Sequence, residues 1–202
     1  AVWRIGRFAK MNRINPPKLI VFLLLSLILT LSVSAGFSAQ IPNPPESVYV
    51  GDYSNVLSES TKQHIIRNGS ALDYLTGAQV VIVTVDFIGA ADIEDYAYDA
   101  FNAWGIGNAT RNNGLLLLLV IGEENYWALQ GSGIENSLTS GILGNFLYEH
   151  LEPDFAAENY DAGVKKVFDS FISWFEGYYN VNIESAFDSS GNIRPDYTPG
   201  YG

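Results

Sequence analysis

The sequence contains no cysteine, one methionine and only two histidines in 202 residues. Without cysteine there is no disulfide framework, no thiolate zinc site and no thiol nucleophile. His64 and His150 fall in separate helical stretches, and nothing matches HExxH. Basic residues are scarce as well, 11 against 22 acidic, for a formal net charge of −11. Phosphate contacts are made by lysine and arginine, so this balance excludes nucleic acid as a partner class. The serine-hydrolase elbow G-x-S-x-G is missing. Gly131-Ser132-Gly133 follows a strand-like run, but Asn136 stands where a dinucleotide loop carries its third glycine, so no nucleotide cofactor is expected. The loop before Gly114 lacks the alternating aspartates of an EF-hand. The D-x-D aspartyl-phosphate signature fails at Asp52, because Ser54 stands two places on.

What is present is a globular composition, 48% hydrophobic and 16% charged. Its charges are unevenly spread. Residues 1–35 hold Arg4, Arg7, Lys10, Arg13 and Lys18 and no carboxylate, which leaves six basic against 22 acidic residues, a charge of −16, for 36–202. Leu19 to Val33 is almost unbroken hydrocarbon, slightly short of the ~17–25 residues that span a bilayer comfortably. A basic start, this apolar run at 19–33 and the small residues Val33-Ser34-Ala35 read as a secretory signal peptide occupying 1–35. The protein is therefore expected outside the cytoplasm, secreted or held to the membrane through an uncleaved signal segment.

Gln40 to Pro45 makes 36–47 a proline-rich linker that stays extended. The folded unit is expected over 48–176. Ser58 precedes a helix with Ile65, Ile66, Leu72 and Leu75 on one side and a Thr76-Gly77 stop. Ala78–Val85 is a strand apolar enough to be covered on both faces. Asp92–Asn102 shows helical spacing, with Ile93, Tyr96, Ala97, Ala100, Phe101 and Trp104 on an aromatic face. Gly114–Ile121 is a second buried strand, and Tyr126–Gln130 its antiparallel hairpin partner. Helices follow through Leu138–Leu151, ending before Pro153, and over about Tyr160–Trp174. The tail, 177–202, lacks periodicity and is expected to be loose. Alternating strands and helices imply an α/β fold, a three-layer sandwich whose mixed, mostly parallel β-sheet has one antiparallel hairpin and helices on both faces.

The polar residues fall at strand ends. In open α/β sheets ligands gather there, outside the strand carboxyl ends. Asp52, Asn113 and Glu135 carry oxygens that suit calcium or magnesium. Each also has an ordinary structural reading: Asp52 holds a turn, Asn112-Asn113-Gly114 is turn chemistry, and Glu135 begins a helix where the dipole favours an anion. Arg111 is the one basic residue near these loops, and with Gly131, Ser132 and Gly133 it forms the candidate anion or phosphate contact.

The ordered set Gly51-Asp52-Tyr53, Thr76-Gly77-Ala78-Gln79-Val80, Ile93-Glu94-Asp95-Tyr96-Ala97, Trp104-Gly105-Ile106-Gly107, Asn112-Asn113-Gly114-Leu115 and Gly131-Ser132-Gly133-Ile134-Glu135 resembles the TPM domain. The resemblance runs from about Val48 to Trp174 and continues through Pro153-Asp154-Phe155 and Asn159-Tyr160-Asp161. It implies an exported or membrane-tethered α/β sandwich, of the kind found in thylakoid-lumen proteins of photosystem repair and in bacterial relatives. Members of that family have been associated with divalent-cation binding and acid phosphatase activity. Asp52, Asn113 and Glu135 match family loop positions, but the position often held by aspartate before the third strand is asparagine here, which removes a charge. The expected function is a non-enzymatic cation-binding assembly or quality-control module acting on envelope or membrane proteins. The alternative is a weak metal-dependent acid phosphatase acting on phosphate monoesters.

Overall fold

The computed structural model describes residues 40–194; the leader expected over 1–35, its apolar run at 19–33 and the last residues, 195–202, lie outside them. No helix among the described residues is long and apolar enough to cross a membrane. Four strands, β1 (Val50–Asp52), β2 (Val80–Val85), β3 (Leu115–Val120) and β4 (Asn125–Gln130), form one sheet in the order β1-β2-β3-β4. The first three are parallel, and β4 turns back antiparallel along β3, with Leu115 opposite Gln130 and Val120 opposite Asn125. This is the α/β sandwich that the alternation of elements implies.

Both central strands are fully buried, which is why they are apolar apart from Thr84. Val80, Ile82, Leu115, Leu117 and Leu119 face a core built with helix α1 (Glu59–Thr76) and the C-terminal helices. Val81, Val83, Leu116, Leu118 and Val120 face a smaller core under helix α2 (Ile93–Trp104), which supplies Tyr96, Ala97 and Ala100. Burying each such leucine contributes about 1.5–3 kcal/mol, so β3 anchors both layers. The crossovers β1–α1–β2 and β2–α2–β3 step the same way across the sheet yet lie on opposite faces. They therefore have opposite hands, and one is the uncommon left-handed kind.

The helix stops follow the sequence. Ser58 accepts from the Thr61 N–H at the start of α1, and Gly77 ends it with a left-handed φ of 69°. Asp92 caps α2 in the same way.

Three expectations change. The helix expected through Leu138–Leu151 begins as α3 (Ser140–Phe146) and does not end before Pro153. It passes through a π turn, Leu147–Leu151, into α4 (Glu152–Phe155). The Glu152 N–H reaches back five residues to the Leu147 carbonyl, and Pro153 then occupies a first-turn position where a missing N–H costs nothing. The last helix, α5, runs Tyr160–Tyr179, five residues past Trp174, to an Asn180 cap at φ 52°. The tail is not loose as far as Arg194. A 3-10 turn, Ile183–Ala186, buries Ile183, Ala186 and Phe187 in the α1-side core. Arg67 of α1 lies 3.8 Å over the Phe187 ring and pairs with Glu184 at 3.0 Å. Three apolar residues on one short irregular turn leave no period to detect. The linker is likewise fastened, by Trp104 Nε1 donating to the Pro42 carbonyl and Tyr53 donating to that of Asn43.

The Ser58 N–H also donates to Asp161 Oδ1 at 2.7 Å, joining the starts of α1 and α5. Burial on its own raises the pKa of this carboxyl, but hydrogen bonds from the Ser58 N–H, Thr61 and the Ser58 hydroxyl outweigh it and hold Asp161 below its ordinary value. A lowered folded pKa contributes stability above the unfolded pKa, and that stability is lost as pH falls through the folded value. Urea melts at neutral pH and near pH ~3 should therefore show Asp161→Asn destabilised at neutral pH, with the gap to wild type closing in acid. A constant gap would show that the carboxylate charge is not what joins the helices.

Candidate functional site

Strand direction decides which loops can meet. Because β4 is antiparallel, its carboxyl end lies at the amino end of β3, and the Gly131 N–H donates to the Gly114 carbonyl there at 2.8 Å. Arg111, Asn113 and 131–135 thus gather at the amino end of the central strands. Asp52 sits at the other end, paired with Thr84. Six strand residues separate the two ends by about 20 Å. Asp52, Asn113 and Glu135 cannot share one ion.

The residues taken singly explain themselves. Asp52 Oδ1 accepts from the Thr84 hydroxyl at 2.6 Å and the Val56 N–H at 3.1 Å, and Oδ2 accepts from the Leu57 N–H at 3.0 Å. It holds the turn between β1 and α1. Asn113, only 1% exposed, accepts from the Asn108 N–H at 3.0 Å and donates to the Tyr179 hydroxyl at 2.8 Å. Burial raises the pKa of Tyr179, while the Asn113 amide works the other way. Both ends of the Asn113 side chain are therefore engaged in packing the loop.

The anion contact does not assemble either. The Arg111 guanidinium donates to the Thr76 carbonyl, where it caps the last turn of α1 and complements the helix dipole. The Gly131 and Gly133 N–H groups are spent on the Gly114 and Asn112 carbonyls. These glycines answer to space instead. A Cβ at Gly133 would stand 1.7 Å from the Arg111 carbonyl oxygen, and one at Gly131 2.1 Å from that of Asn112. Ser132 and Glu135 are exposed.

What opens at this edge is a cleft of about 290 Å³ between α2 and the 131–135 loop. Its polar lining is Asn102, Asn112, Gln130, Ser132 and Glu135, and its wall is Tyr98, Phe101 and Leu129. A smaller cavity of about 140 Å³ continues it along Asn102, Asn108 and Asn112. Among the described residues no three histidine, aspartate or glutamate side chains converge to hold a metal. The cleft offers one carboxylate and several amide and hydroxyl oxygens, a set that fits a hard cation at low charge. Sequence reading found Glu135 and Ser132 but missed Asn102 and Gln130. Their polarity at the end of an amphipathic helix and of an edge strand is the ordinary pattern of solvent-facing positions.

The mixed four-stranded sheet, with helices on both faces and a loop cleft at the amino end of the central strands, defines an α/β sandwich domain. The TPM domain model matches residues 50–173, well over half the chain, and the chain belongs to that family. Among solved structures it is similar to the N-terminal domain of a P. gingivalis protein, at 28% identity over 64% of this chain and 82% of that one, with a TM-score of 0.59. The BA42 protein of Bizionia argentinensis shares 15% identity over 60% and 83%, with a TM-score of 0.53. The N-terminal domain of the cg2496 protein from Corynebacterium glutamicum shares 17% over 68% and 86%, with a TM-score of 0.51. Among curated proteins none matches this chain.

If Asp52 and Asn113 serve separate loops, their losses must be independent. Asp52→Ala and Asn113→Ala should each cost about 1–3 kcal/mol in urea unfolding, because each strands backbone or hydroxyl partners. The double variant should equal the sum to within about 0.5 kcal/mol. A coupling clearly above that would place both residues in one network.

Proposed function

We propose that this TPM domain is a non-enzymatic, extracytoplasmic module that binds calcium or magnesium weakly in the cleft beside Glu135 and serves assembly or interaction with envelope or membrane proteins. The observation that carries the reading is the lining of that cleft, six oxygen-bearing side chains with a single negative charge and no basic residue. Hard cations take such oxygens, and with one carboxylate the affinity belongs to the range of extracellular modules, about 10⁻⁴–10⁻³ M. The basic, carboxylate-free leader supports placement outside the cytoplasm. The phosphatase alternative draws less support. Phosphoryl transfer needs positioned positive charge, and the nearby cation, Arg111, is engaged with the end of α1.

Thermal melts in calcium or magnesium test this. At ten times the dissociation constant one site contributes about 1.4 kcal/mol, or about 3–6 °C for a domain of this size. Glu135→Gln should abolish the shift while leaving the melt without metal in place. An equal shift in wild type and Glu135→Gln would remove the cleft as its origin.

A further inference from the structure

The two edges of the sheet are built differently. β1 is three residues long, and its outward Val50 N–H is taken by the Ser47 hydroxyl at 3.2 Å. β4 is six residues long, keeps unbroken register with β3, and has no charge, proline or bulge in NYWALQ. Within the strand itself the charges, prolines and bulges by which natural sheets blunt an edge are missing. The Gly131 to Gly114 bond fixes which residues face β3: 125, 127 and 129 turn inward, while 126, 128 and 130 turn outward. The Ala128 and Gln130 N–H groups thus point away from β3, toward the position of a new strand, Ala128 being 9% exposed and Gln130 half-buried.

Two clefts flank this edge on opposite faces. Near its end lies the Glu135 cleft, beside Leu129 and Gln130. Near its start is a cavity of about 260 Å³ walled by Tyr126, Phe155 and Tyr160 and rimmed by Glu124, Glu152 and Glu158, with no basic residue. The Tyr126 hydroxyl donates to Glu152 at 2.6 Å. Burial, then Glu158 and Glu124, push the Tyr160 phenol up, so all three carboxylates bear on this cavity.

We propose that β4 is a docking edge that adds an extended segment of a basic partner protein as a fifth strand, with a lysine or arginine of that segment entering the cavity of Tyr126, Phe155 and Tyr160. A residue set opposite Tyr126 projects to the same face, among three carboxylates and three aromatic rings, which suits a cation on both counts. Residues set opposite Trp127 and Leu129 project to the other face and should be apolar. Charge decides between occupants: a second copy would bring another net −11, with −16 over residues 36–202 offset only by the basic 1–35, against the same rim, whereas a basic strand is complementary. This inference does not rest on the cation-binding reading.

The probe is an acetylated Thr-Lys-Val-Thr-Val-Thr peptide, titrated into the 202-residue chain and followed by amide shifts at Tyr126, Ala128 and Gln130. Binding should be about tenfold tighter than for the same peptide with Glu in place of Lys. Ala128→Pro removes one outward donor and leaves the β3–β4 bonds intact, so the fold should survive and binding should be lost. Should that variant fail to fold, Glu124→Gln/Glu158→Gln carries the test, by erasing the preference for Lys over Glu. The proposal is overturned if both peptides bind equally to wild type, or if folded Ala128→Pro binds unchanged. It is also overturned if the chain without peptide self-associates through β4, which would make a second copy the occupant.

Discussion

The tightest constraint among the described residues is a backbone contact. At the amino end of β3 the Gly133 chain passes against the Arg111 carbonyl, Gly131 against that of Asn112, and Gly114 against that of Ile106, each with less than 2.5 Å for an absent Cβ. Only glycine allows such approaches. From this packing follow the burial of Asn113, the delivery of Arg111 to the end of α1, and the return of the chain from β4 into the 131–135 loop. It also sets the cleft, whose floor and rim are these same loops. A side chain at Gly131 or Gly133 would push the 108–114 and 131–135 loops apart, and the oxygens of Asn112 and Glu135 with them, and one at Gly114 would force β3 away from Ile106.

How much of this the sequence discloses depends on the kind of feature. β2 and β3 are legible because burial on both faces forces an apolar run, broken only by Thr84, and α1 and α2 because an amphipathic period ends in Gly77 and Gly105. The hairpin is legible from its polar turn. The π turn at Leu147–Leu151 is not, since it is a change in hydrogen-bond partner with no composition of its own. The Ile183–Phe187 turn is too short for a period. The site was half legible for a different reason. Residue types at strand ends and the reversal of β4, which carries Glu135 away from Asp52, can both be read from a sequence, but that Asp52 and Asn113 are each spent inside their own loops depends on contacts that residue types do not announce.

The same reversal explains the glycines. A G-x-G after a strand suggests backbone N–H groups free for an anion, and here those groups are already bonded to Gly114 and Asn112. The glycines serve contact between two loops, and a spacing alone does not separate that use from ligand binding.

The location of the cleft departs from the rule that ligands in open α/β sheets sit beyond the strand carboxyl ends, where neighbouring connections part to opposite faces. Such a parting exists here, because the chain leaves β1 for α1 on one face and β2 for α2 on the other. The crevice it would open is closed by the protein itself. Asp52 extends from β1 to the Thr84 hydroxyl on β2 and caps the Val56 and Leu57 N–H groups, so a carboxylate of the chain takes the place a ligand would have. Glu123 closes the neighbouring turn by accepting from the Ile88 and Gly89 N–H groups. With the carboxyl end occupied by its own acids, the sheet presents open polar surface at the amino end and along β4. Those are the places where side-chain oxygens and strand N–H groups remain directed outward, and where a binding function has physical room.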